Sequence, residues 1–395
     1  MVIKGADVVT SEGRKRCDVR IEAGEIVEIA EGLSAQETID ANGRYLLPAL
    51  NDIGLMVYDR KLRGGTLDKL AQNAEENGFS TVVLSSLCAP RIEDEITLEF
   101  VKSQADHYPQ ADILPLVSGV KEDGKLADCA IMLREGGVGI EFESHIDGNL
   151  IRRLMEYAKA HDVPLYCHAD DPALSDSGVM HEGEIASRLG LPGVPPLSEV
   201  SQVARVRTFA EHYGVDVVFL GLSTPEAVEI CAESAHLKAQ VSIHHLILSD
   251  SACEGYDTAG KVWPVLRDES RRQALLKQAA EGKIDLLTTL HSPASRTAKD
   301  AVFGEAAFGI DGLYGFLPLL YSELIAPGHL TWEAVTRMCA KEGAKLLKCK
   351  REGEIAVGQR AAFVLFDPKA KTRFDDSRSP YRGRTFQGGV TMIKG

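Results

Sequence analysis

The chain lacks a long apolar run, since none of its hydrophobic stretches reaches the roughly 18 residues that a membrane-spanning helix requires. It also lacks an excess of positive charge: 44 Lys and Arg stand against 58 Asp and Glu, and the net charge is −14. This balance argues against binding to nucleic acid or to anionic membrane surfaces. The opening residues 1–4, Met-Val-Ile-Lys, are typical of a β-strand and show no sign of a signal peptide.

Paired cysteines are also missing. The eight cysteines are scattered along the chain, and no two form a CxxC pair. This spacing supports neither a disulfide framework nor a zinc ribbon and favours free thiols in a reducing compartment. We therefore expect the protein in the cytoplasm.

What is present fits an α/β protein with two units. Short Val- and Ile-rich segments separated by turn residues fill residues 1–48, and strand-like segments return in residues 349–395. We predict that both termini build one small β-sandwich domain. Between them, in residues 49–348, apolar runs alternate with amphipathic helical segments, which predicts a (β/α)8 TIM barrel. The eight candidate barrel strands are residues 52–57, 80–86, 111–117, 138–142, 164–169, 216–222, 240–248 and 285–291.

Five longer blocks carry a resemblance to a known family. They read GVMHEGEIASRLGLPGVPPLSE (178–199), SIHHLILSD (242–250), KVWPVLR (261–267), AAFGIDGLYGFLPLL (306–320) and GEIAVGQRAAFVLFDP (353–368). In this order they resemble the dihydroorotase family of the amidohydrolase superfamily over essentially the whole chain. The resemblance implies a metal centre at the carboxyl ends of the barrel strands. There, metal-bound water becomes hydroxide and an aspartate relays the proton.

The first barrel strand departs from that family at the metal ligands. The family motif PGxIDxHxH is retained at Pro48, Leu50 and Asp52, but its two histidine positions hold Gly54 and Met56. Glycine offers no ligand atom, and a thioether is a soft ligand that suits Zn²⁺ poorly in a nitrogen and oxygen site.

Other positions implied by the resemblance have changed as well. The substrate-binding arginine is Tyr58, with Arg60 two residues further along, and a substrate-binding asparagine is Trp263. At the remaining ligand positions, the strand-five histidine is kept as His168 and the strand-six histidine is Gly221. At strand eight the catalytic aspartate is Leu290, His291 is kept, and a second histidine is Ala294.

The fourth strand offers carboxylates where the family carries a carboxylated lysine or an aspartate. Glu141 and Glu143 flank Phe142, so they share a face if they lie on a strand. Several histidines also have a purely structural interpretation. His168 and His291 could be hydrogen-bonded residues at the barrel mouth, His244 and His245 a structural pair beside a strand, and His181 has no evident metal partner.

The losses predict a protein that keeps the fold without the chemistry, with no catalytic residue, no metal and no cofactor. The resemblance extends to noncatalytic dihydroorotase-like subunits that associate with aspartate carbamoyltransferase, whose first strand keeps DxG as Asp52-Ile53-Gly54 does here. It also implies a homodimer. In that interpretation Tyr58, Trp263 and His291 line a vestigial substrate pocket.

Two alternatives remain open. One is an active zinc-dependent cyclic amidohydrolase with a rearranged site, whose ligands would be His168, His291 and Glu141 or Glu143. The other is a small-molecule binding protein in which Met56, Tyr58 and Trp263 shape a pocket for a nonpolar ligand.

Overall fold

The computed structural model describes residues 1–109, 111–349 and 352–394. In chain order the strands are β1 (Val2–Val9), β2 (Arg14–Glu22), β3 (Glu25–Ala30), β4 (Thr38–Asp40), β5 (Tyr45–Pro48), β6 (Leu50–Leu55), β7 (Phe79–Leu84), β8 (Asp112–Pro115), β9 (Val117–Ser118), β10 (Ile140–Glu143), β11 (Leu165–His168), β12 (Met180–His181), β13 (Gly193–Val194), β14 (Val217–Leu222), β15 (Leu237–Ser242), β16 (Leu286–Thr288), β17 (Ala362–Arg373) and β18 (Thr385–Lys394).

The helices begin after β6 and lie between the barrel strands and after the last of them. They are α1 (Gly64–Glu76), α2 (Glu95–Ala105), α3 (Cys129–Arg134), α4 (Gly148–His161), α5 (Pro172–Ser175), α6 (Glu184–Leu189), α7 (Leu197–Tyr213), α8 (Pro225–Ala232), α9 (Ile243–Ile247), α10 (Glu269–Ala280), α11 (Arg296–Lys299), α12 (Phe316–Leu320), α13 (Trp332–Thr336) and α14 (Glu342–Leu346). Within the described residues, no helix is both long and apolar enough to cross a bilayer.

Both ends of the chain contribute to one mixed sheet of seven strands. Its order is β18-β17-β5-β1-β2-β3, and β4 pairs with β1. The sheet curls back on itself, because the Ile26 N–H donates to the Gln359 carbonyl at 2.9 Å and the Ala361 N–H donates to Gly24 at 2.8 Å. The curled sheet encloses apolar side chains from both termini, among them Ile3, Val19, Ile26, Leu46, Phe363 and Leu365.

The barrel consists of parallel strands that follow one another around the ring. One run pairs β6, β7 and β8, and a second pairs β9, β10, β11, β14, β15 and β16. β8 and β9 are successive halves of one barrel strand, interrupted at Leu116. The ring closes between the last and first strands, where the Met56 N–H donates to the His291 carbonyl at 2.9 Å. A layer of buried side chains fills the interior: Ile53, Val83, Leu116, Tyr166, Val218, Leu220 and Leu286.

The predicted fold class, a (β/α)8 barrel with a small β-sandwich built from both termini, is confirmed. The predicted limits 1–48, 49–348 and 349–395 stay a prediction, and residues 350, 351 and 395 lie outside the described residues. One strand assignment is wrong. Residues 240–248 were expected to be extended, but the strand ends at Ser242 and α9 follows. The Ser242 hydroxyl accepts a hydrogen bond from the His245 N–H and so caps this short helix.

Candidate functional site

A cavity of about 200 Å³ opens at the carboxyl ends of the barrel strands. This is the face where barrels of this type carry their chemistry. The positions that the sequence singled out are brought together in its wall: Gly54, Met56, Glu143, His168, Gly221, Trp263, Leu290 and His291. The structure therefore assembles the expected site, and its chemistry depends on which atoms these residues present.

Glycine at the first ligand position is required by the backbone and by its neighbour. Gly54 has a φ of +88°, and a Cβ built on it would lie 3.2 Å from Leu220 Cδ1. A side chain there would be strained whatever its chemistry. Met56 is 6% exposed and packs in the apolar core. The strand-one positions thus present no metal ligand to the cavity.

The strand-six position repeats this pattern. Gly221 has a φ of +69°, and its Cβ would approach Pro264 Cδ to 3.2 Å and Leu290 Cδ1 to 3.5 Å. Leu290 itself has a φ of +53°, which is unusual for a residue other than glycine. The leucine side chain therefore occupies the space beside Gly221 from the position where the resemblance places a catalytic aspartate.

Gln240 on β15 links the two strands that carry these glycines. Its amide nitrogen donates to the Ile53 carbonyl at 2.9 Å, and its amide oxygen accepts from the Gly221 N–H at 3.2 Å. The residue is 2% exposed. A buried amide with both ends paired satisfies two backbone groups that would otherwise lack partners. We call this contact the Gln240 brace.

Asp52, which the sequence motif retains, ties the first strand to the last. Its Oδ1 accepts from the Ile53 N–H at 2.8 Å, and its Oδ2 accepts from the Thr289 N–H at 2.9 Å. Burial raises the pKa of Asp52 above its ordinary value, although hydrogen bonds from Thr289 and Thr288 act in the opposite direction. Asp52 therefore helps to close the barrel behind the cavity.

His168 is held by a fully buried carboxylate. Its Nε2 lies 2.7 Å from Glu141 Oε1, and Glu141 is 0% exposed. The same carboxylate accepts from both Ser85 and Ser86 hydroxyls and from the Ser86 N–H. Burial alone would raise the pKa of Glu141, but the hydrogen bonds from His168, Ser86 and Ser85 bring it below its ordinary value. Because the ionised carboxylate only accepts, His168 donates through Nε2.

His291 has a carboxylate of its own. Its Nδ1 lies 3.1 Å from Asp311 Oδ1, and its side chain is 5% exposed. Asn73 also donates to Asp311, at 3.2 Å. Desolvation would raise the pKa of Asp311, but the hydrogen bond and charge of His291 lower it overall. Both retained histidines therefore have carboxylate partners within the protein.

Glu141 and Glu143 lie two residues apart on β10 but have different roles. Glu141 lies behind His168, whereas Glu143 lines the cavity and pairs with Arg91 at 3.3 Å. The two side chains do not converge on a common metal position.

Of the two positions at which the resemblance places substrate contacts, Trp263 lines the cavity and Tyr58 does not. Trp263 lines the cavity and packs edge-on against Phe308, with ring centroids 5.3 Å apart. Tyr58 was expected in the same pocket, but its side chain lies outside, where its hydroxyl accepts from Arg378 at 3.3 Å. Ala294 also lies at Arg378, which donates to the Ala294 carbonyl at 2.9 Å. Arg60 does line the cavity. The cavity therefore has an arginine, two residues after Tyr58, which occupies the position of the substrate-binding arginine in the motif.

The other histidines are part of the core. His244 contacts the Tyr381 hydroxyl at 2.9 Å and the Thr289 carbonyl at 3.0 Å, and His245 contacts the Ser242 hydroxyl at 2.7 Å. Burial lowers the pKa of His244 to about 3 and of His245 to about 4. His181 pairs with Asp268 at 3.0 Å, and burial lowers its pKa to about 4.

The donor set does not fit the zinc centre that the fold family implies. Across residues 1–109, 111–349 and 352–394, no group of three or more His, Cys, Asp or Glu side chains is arranged to hold a metal ion. Zinc catalysis uses about three protein ligands and an open position for water. Here Glu141 already accepts hydrogen bonds from His168, Ser85 and Ser86. Four of the ligand or relay positions that the resemblance implies are occupied by residues that suit zinc poorly or not at all: Gly54, Met56, Gly221 and Leu290.

Sequence reasoning missed Gln240, which lines the cavity, and Asp311, which pairs with His291. Gln240 shares one face of β15 with the polar residues Lys238 and Ser242, so the alternation along this strand did not single it out. Asp311 lies within the block 306–320, but its pairing with His291 depends on how the loop after β16 folds back.

Solved structures with the same fold include a dihydropyrimidinase from Brevibacillus agri, with a TM-score of 0.85 and 20% identity, covering 100% of this chain and 93% of that one. An L-hydantoinase from Arthrobacter aurescens has a TM-score of 0.86 and 20% identity, covering 99% and 94%. At this identity the likeness establishes the fold, the barrel and β-sandwich of the amidohydrolases.

Sequence relatives define the family. The profile described as "Dihydro-orotase-like" matches residues 43–226. A dihydroorotase from Carboxydothermus hydrogenoformans is 31% identical over 99% of this chain and 96% of its own length. One from Geobacter sp. (strain M21) is 30% identical over 100% and 98%. The chain therefore belongs to the dihydroorotase-like family of the amidohydrolase superfamily.

Proposed function

We propose that this protein is a noncatalytic member of its family that serves pyrimidine biosynthesis as a structural partner of aspartate carbamoyltransferase. The observation that supports this most strongly is the rebuilt strand-one and strand-six side of the cavity. There, Gly54 and Gly221 have positive φ angles, Leu220 and Leu290 fill the adjoining space, and the Gln240 brace links the two strands.

The physical reason is that this side cannot accept ligands by side-chain replacement alone. A histidine at Gly54 or Gly221 would carry a Cβ in a strained backbone conformation and against a packed neighbour. The remaining imidazoles, His168 and His291, each use one ring nitrogen for a carboxylate of the protein. The position where the resemblance places the aspartate relay is Leu290, whose side chain cannot transfer a proton.

The alternative is a rearranged zinc site on His168 and His291 with Glu141 or Glu143. One observation favours it, which is that both imidazoles border the same cavity. Against it, Glu141 accepts hydrogen bonds from three residues, and Glu143 is paired with Arg91. A zinc ion would have to displace these contacts, so the noncatalytic proposal is the better supported one.

The experiment is co-assembly with the aspartate carbamoyltransferase of the same cell. We expect light scattering coupled to size-exclusion chromatography to show a defined complex at micromolar concentrations. We also expect the free chain to be a homodimer in the same measurement, by analogy with the family. Two separate peaks at every ratio of the proteins would contradict the partner role.

A further inference from the structure

The barrel-mouth cavity contains two charged residues of opposite sign that have no ion-pair partner. Arg60 and Asp170 both line it. Among the residues that the structure describes, neither side chain has an opposite charge within 4.0 Å. A charged group beside a cavity and without a counter-charge is a group that a ligand can pair with.

The turn at residues 58–60 leaves the Arg60 side chain available to the cavity. The Arg60 N–H donates to the Val57 carbonyl at 2.8 Å, and the Arg60 carbonyl accepts from the Ala89 N–H at 2.7 Å. Since both backbone groups have partners, the guanidinium is what Arg60 offers to a ligand. Its planar set of N–H donors can bind a carboxylate through two parallel hydrogen bonds.

Asp170 is a partly buried carboxylate whose charge is poorly compensated. Its Oδ2 accepts from the Ser175 hydroxyl at 3.0 Å. Burial raises the pKa of Asp170, and the Ser175 hydrogen bond and the charge of His145 offset this only in part. The buried Arg267 also acts on Asp170 electrostatically, but from beyond ion-pair distance. A cation in the cavity would therefore supply the counter-charge that Asp170 lacks.

The strand order places the two charges on opposite sides of the cavity. Arg60 follows β6, the first barrel strand, and Asp170 follows β11, the fifth. In a closed barrel of eight strands, the first and the fifth face one another across the barrel. The cavity thus has a positive side and a negative side.

Other groups add hydrogen-bond acceptors to the negative side. Glu143, on the neighbouring strand β10, lines the cavity as well, although Arg91 already pairs with it. His168 donates through Nε2 to Glu141, so Nδ1 of the neutral ring is an acceptor, and it has no hydrogen-bond partner among the described residues. An ammonium group, which has three donors, is complementary to this side.

The size and the remaining walls of the cavity limit the ligand further. Its volume of about 200 Å³ is below the range of about 300–1,000 Å³ that is usual for drug-sized ligands, so the ligand is small. Trp263 and Phe308 form an aromatic wall, and Leu220 and Leu290 add aliphatic surface. A ligand that fills the cavity therefore carries an apolar group beside its charges.

We propose that the cavity binds a small zwitterion, an α-amino acid with an apolar side chain. Its carboxylate pairs with Arg60, its ammonium group pairs with Asp170, and its side chain lies against Trp263 and Phe308. This inference goes beyond the proposed function, because it concerns a metabolite and not a partner protein. Binding of this kind breaks no bond and needs no metal.

The test compares three ligands that share one carbon skeleton. L-leucine carries both charges, isocaproate lacks the ammonium group, and isoamylamine lacks the carboxylate. Isothermal titration calorimetry on the parent chain should show the tightest binding for leucine. Each analogue should bind about tenfold more weakly, because it loses one charged contact. Leucine should also change the fluorescence of Trp263, since the other tryptophan, Trp332, is buried in the core.

Two variants assign the charges. Arg60→Gln should weaken the binding of leucine and isocaproate about tenfold and leave isoamylamine unchanged. Asp170→Asn should weaken leucine and isoamylamine to a similar extent and leave isocaproate unchanged. The matched controls, Arg153→Gln and Asp106→Asn, remove exposed charges on α4 and at the end of α2 and should alter none of the three.

The comparison of ligands on the parent chain decides the inference even if a variant does not fold. Equal affinity for leucine and either analogue would overturn it. Failure of leucine, glycine and phenylalanine to bind at about 10 mM would overturn it too. If isocaproate bound as tightly as leucine and lost affinity in Arg60→Gln, the cavity would be a site for simple carboxylates and not for a zwitterion.

Discussion

The two sides of the barrel-mouth cavity have departed from a metal site in different ways. On the strand-one and strand-six side, the ligand side chains are gone and the backbone has adapted, with positive φ at Gly54 and Gly221. On the strand-four, strand-five and strand-eight side, His168 and His291 remain, each with a carboxylate partner. The comparison teaches that two retained histidines do not make a metal site once the ligand positions on the facing strands are lost. The predictions below test this difference, from the largest expected effect to the smallest.

The largest effect is expected at the buried carboxylate of the histidine side. Glu141→Ala would leave His168, Ser85 and Ser86 without their common acceptor. Removing one partner of a buried charged contact costs about 3–5 kcal/mol. Urea unfolding should show a loss of this order. Glu143→Gln removes a partly exposed ion pair with Arg91, and we expect a change of about 1 kcal/mol or less. Equal losses in both variants would show that Glu141 is not the structural anchor described here.

The corresponding change on the other side is Gln240→Leu. It removes the brace and leaves the Ile53 carbonyl and the Gly221 N–H buried without partners. Each unsatisfied group costs about 1–3 kcal/mol, so we expect a clear loss in the free energy of unfolding. Gln240→Glu is the matched control, since burial favours the neutral acid, which can accept from Gly221 and donate to Ile53 through its hydroxyl. It should lie between the parent and the leucine variant, and a stable leucine variant would refute the brace.

Stability should fall in acid because three histidines are buried. The pKa values of His181 and His245 are about 4 and that of His244 is about 3, against an ordinary 6.5. The unfolded chain therefore binds more protons, so this stability is present above pH 6.5 and is lost as the pH falls toward 4. Each histidine contributes a slope of up to about 1.4 kcal/mol per pH unit. Urea unfolding at several pH values gives the free energy of unfolding as a function of pH. Between pH 6.5 and 4 this plot should be less steep for His181→Gln by one such slope. A free energy of unfolding that does not change with pH in the parent would contradict the burial of the histidines.

Glycine substitutions should give the smallest effects. Gly221→Ala places a Cβ at a φ of +69° and should cost about 1–2 kcal/mol. Gly65→Ala lies in α1, with no neighbouring atom within 4 Å of the new Cβ, and should be neutral or stabilising by about 1 kcal/mol. Thermal unfolding of the pair compares the two sites directly. A neutral Gly221→Ala would mean that the backbone there tolerates side chains after all.

Sequence reasoning reached the fold because the eight apolar runs and the turn-rich termini are local signals that repeat along the chain. It also named part of the cavity wall, because the resemblance aligns Gly54, His168, Gly221 and Leu290 with ligand or relay positions. It could not see the Gln240 brace or the Asp311 contact, since both join residues far apart in the chain. Tyr58 was misplaced because its direction depends on the turn at residues 58–60, where Asp59 and Arg60 have positive φ angles.

The most direct measurement is the zinc content of the purified protein together with its turnover of dihydroorotate. We expect no stoichiometric zinc and no ring opening above the uncatalysed rate, in the parent and in His168→Gln alike. One or two equivalents of zinc with measurable turnover, both lost in His168→Gln, would contradict a noncatalytic role.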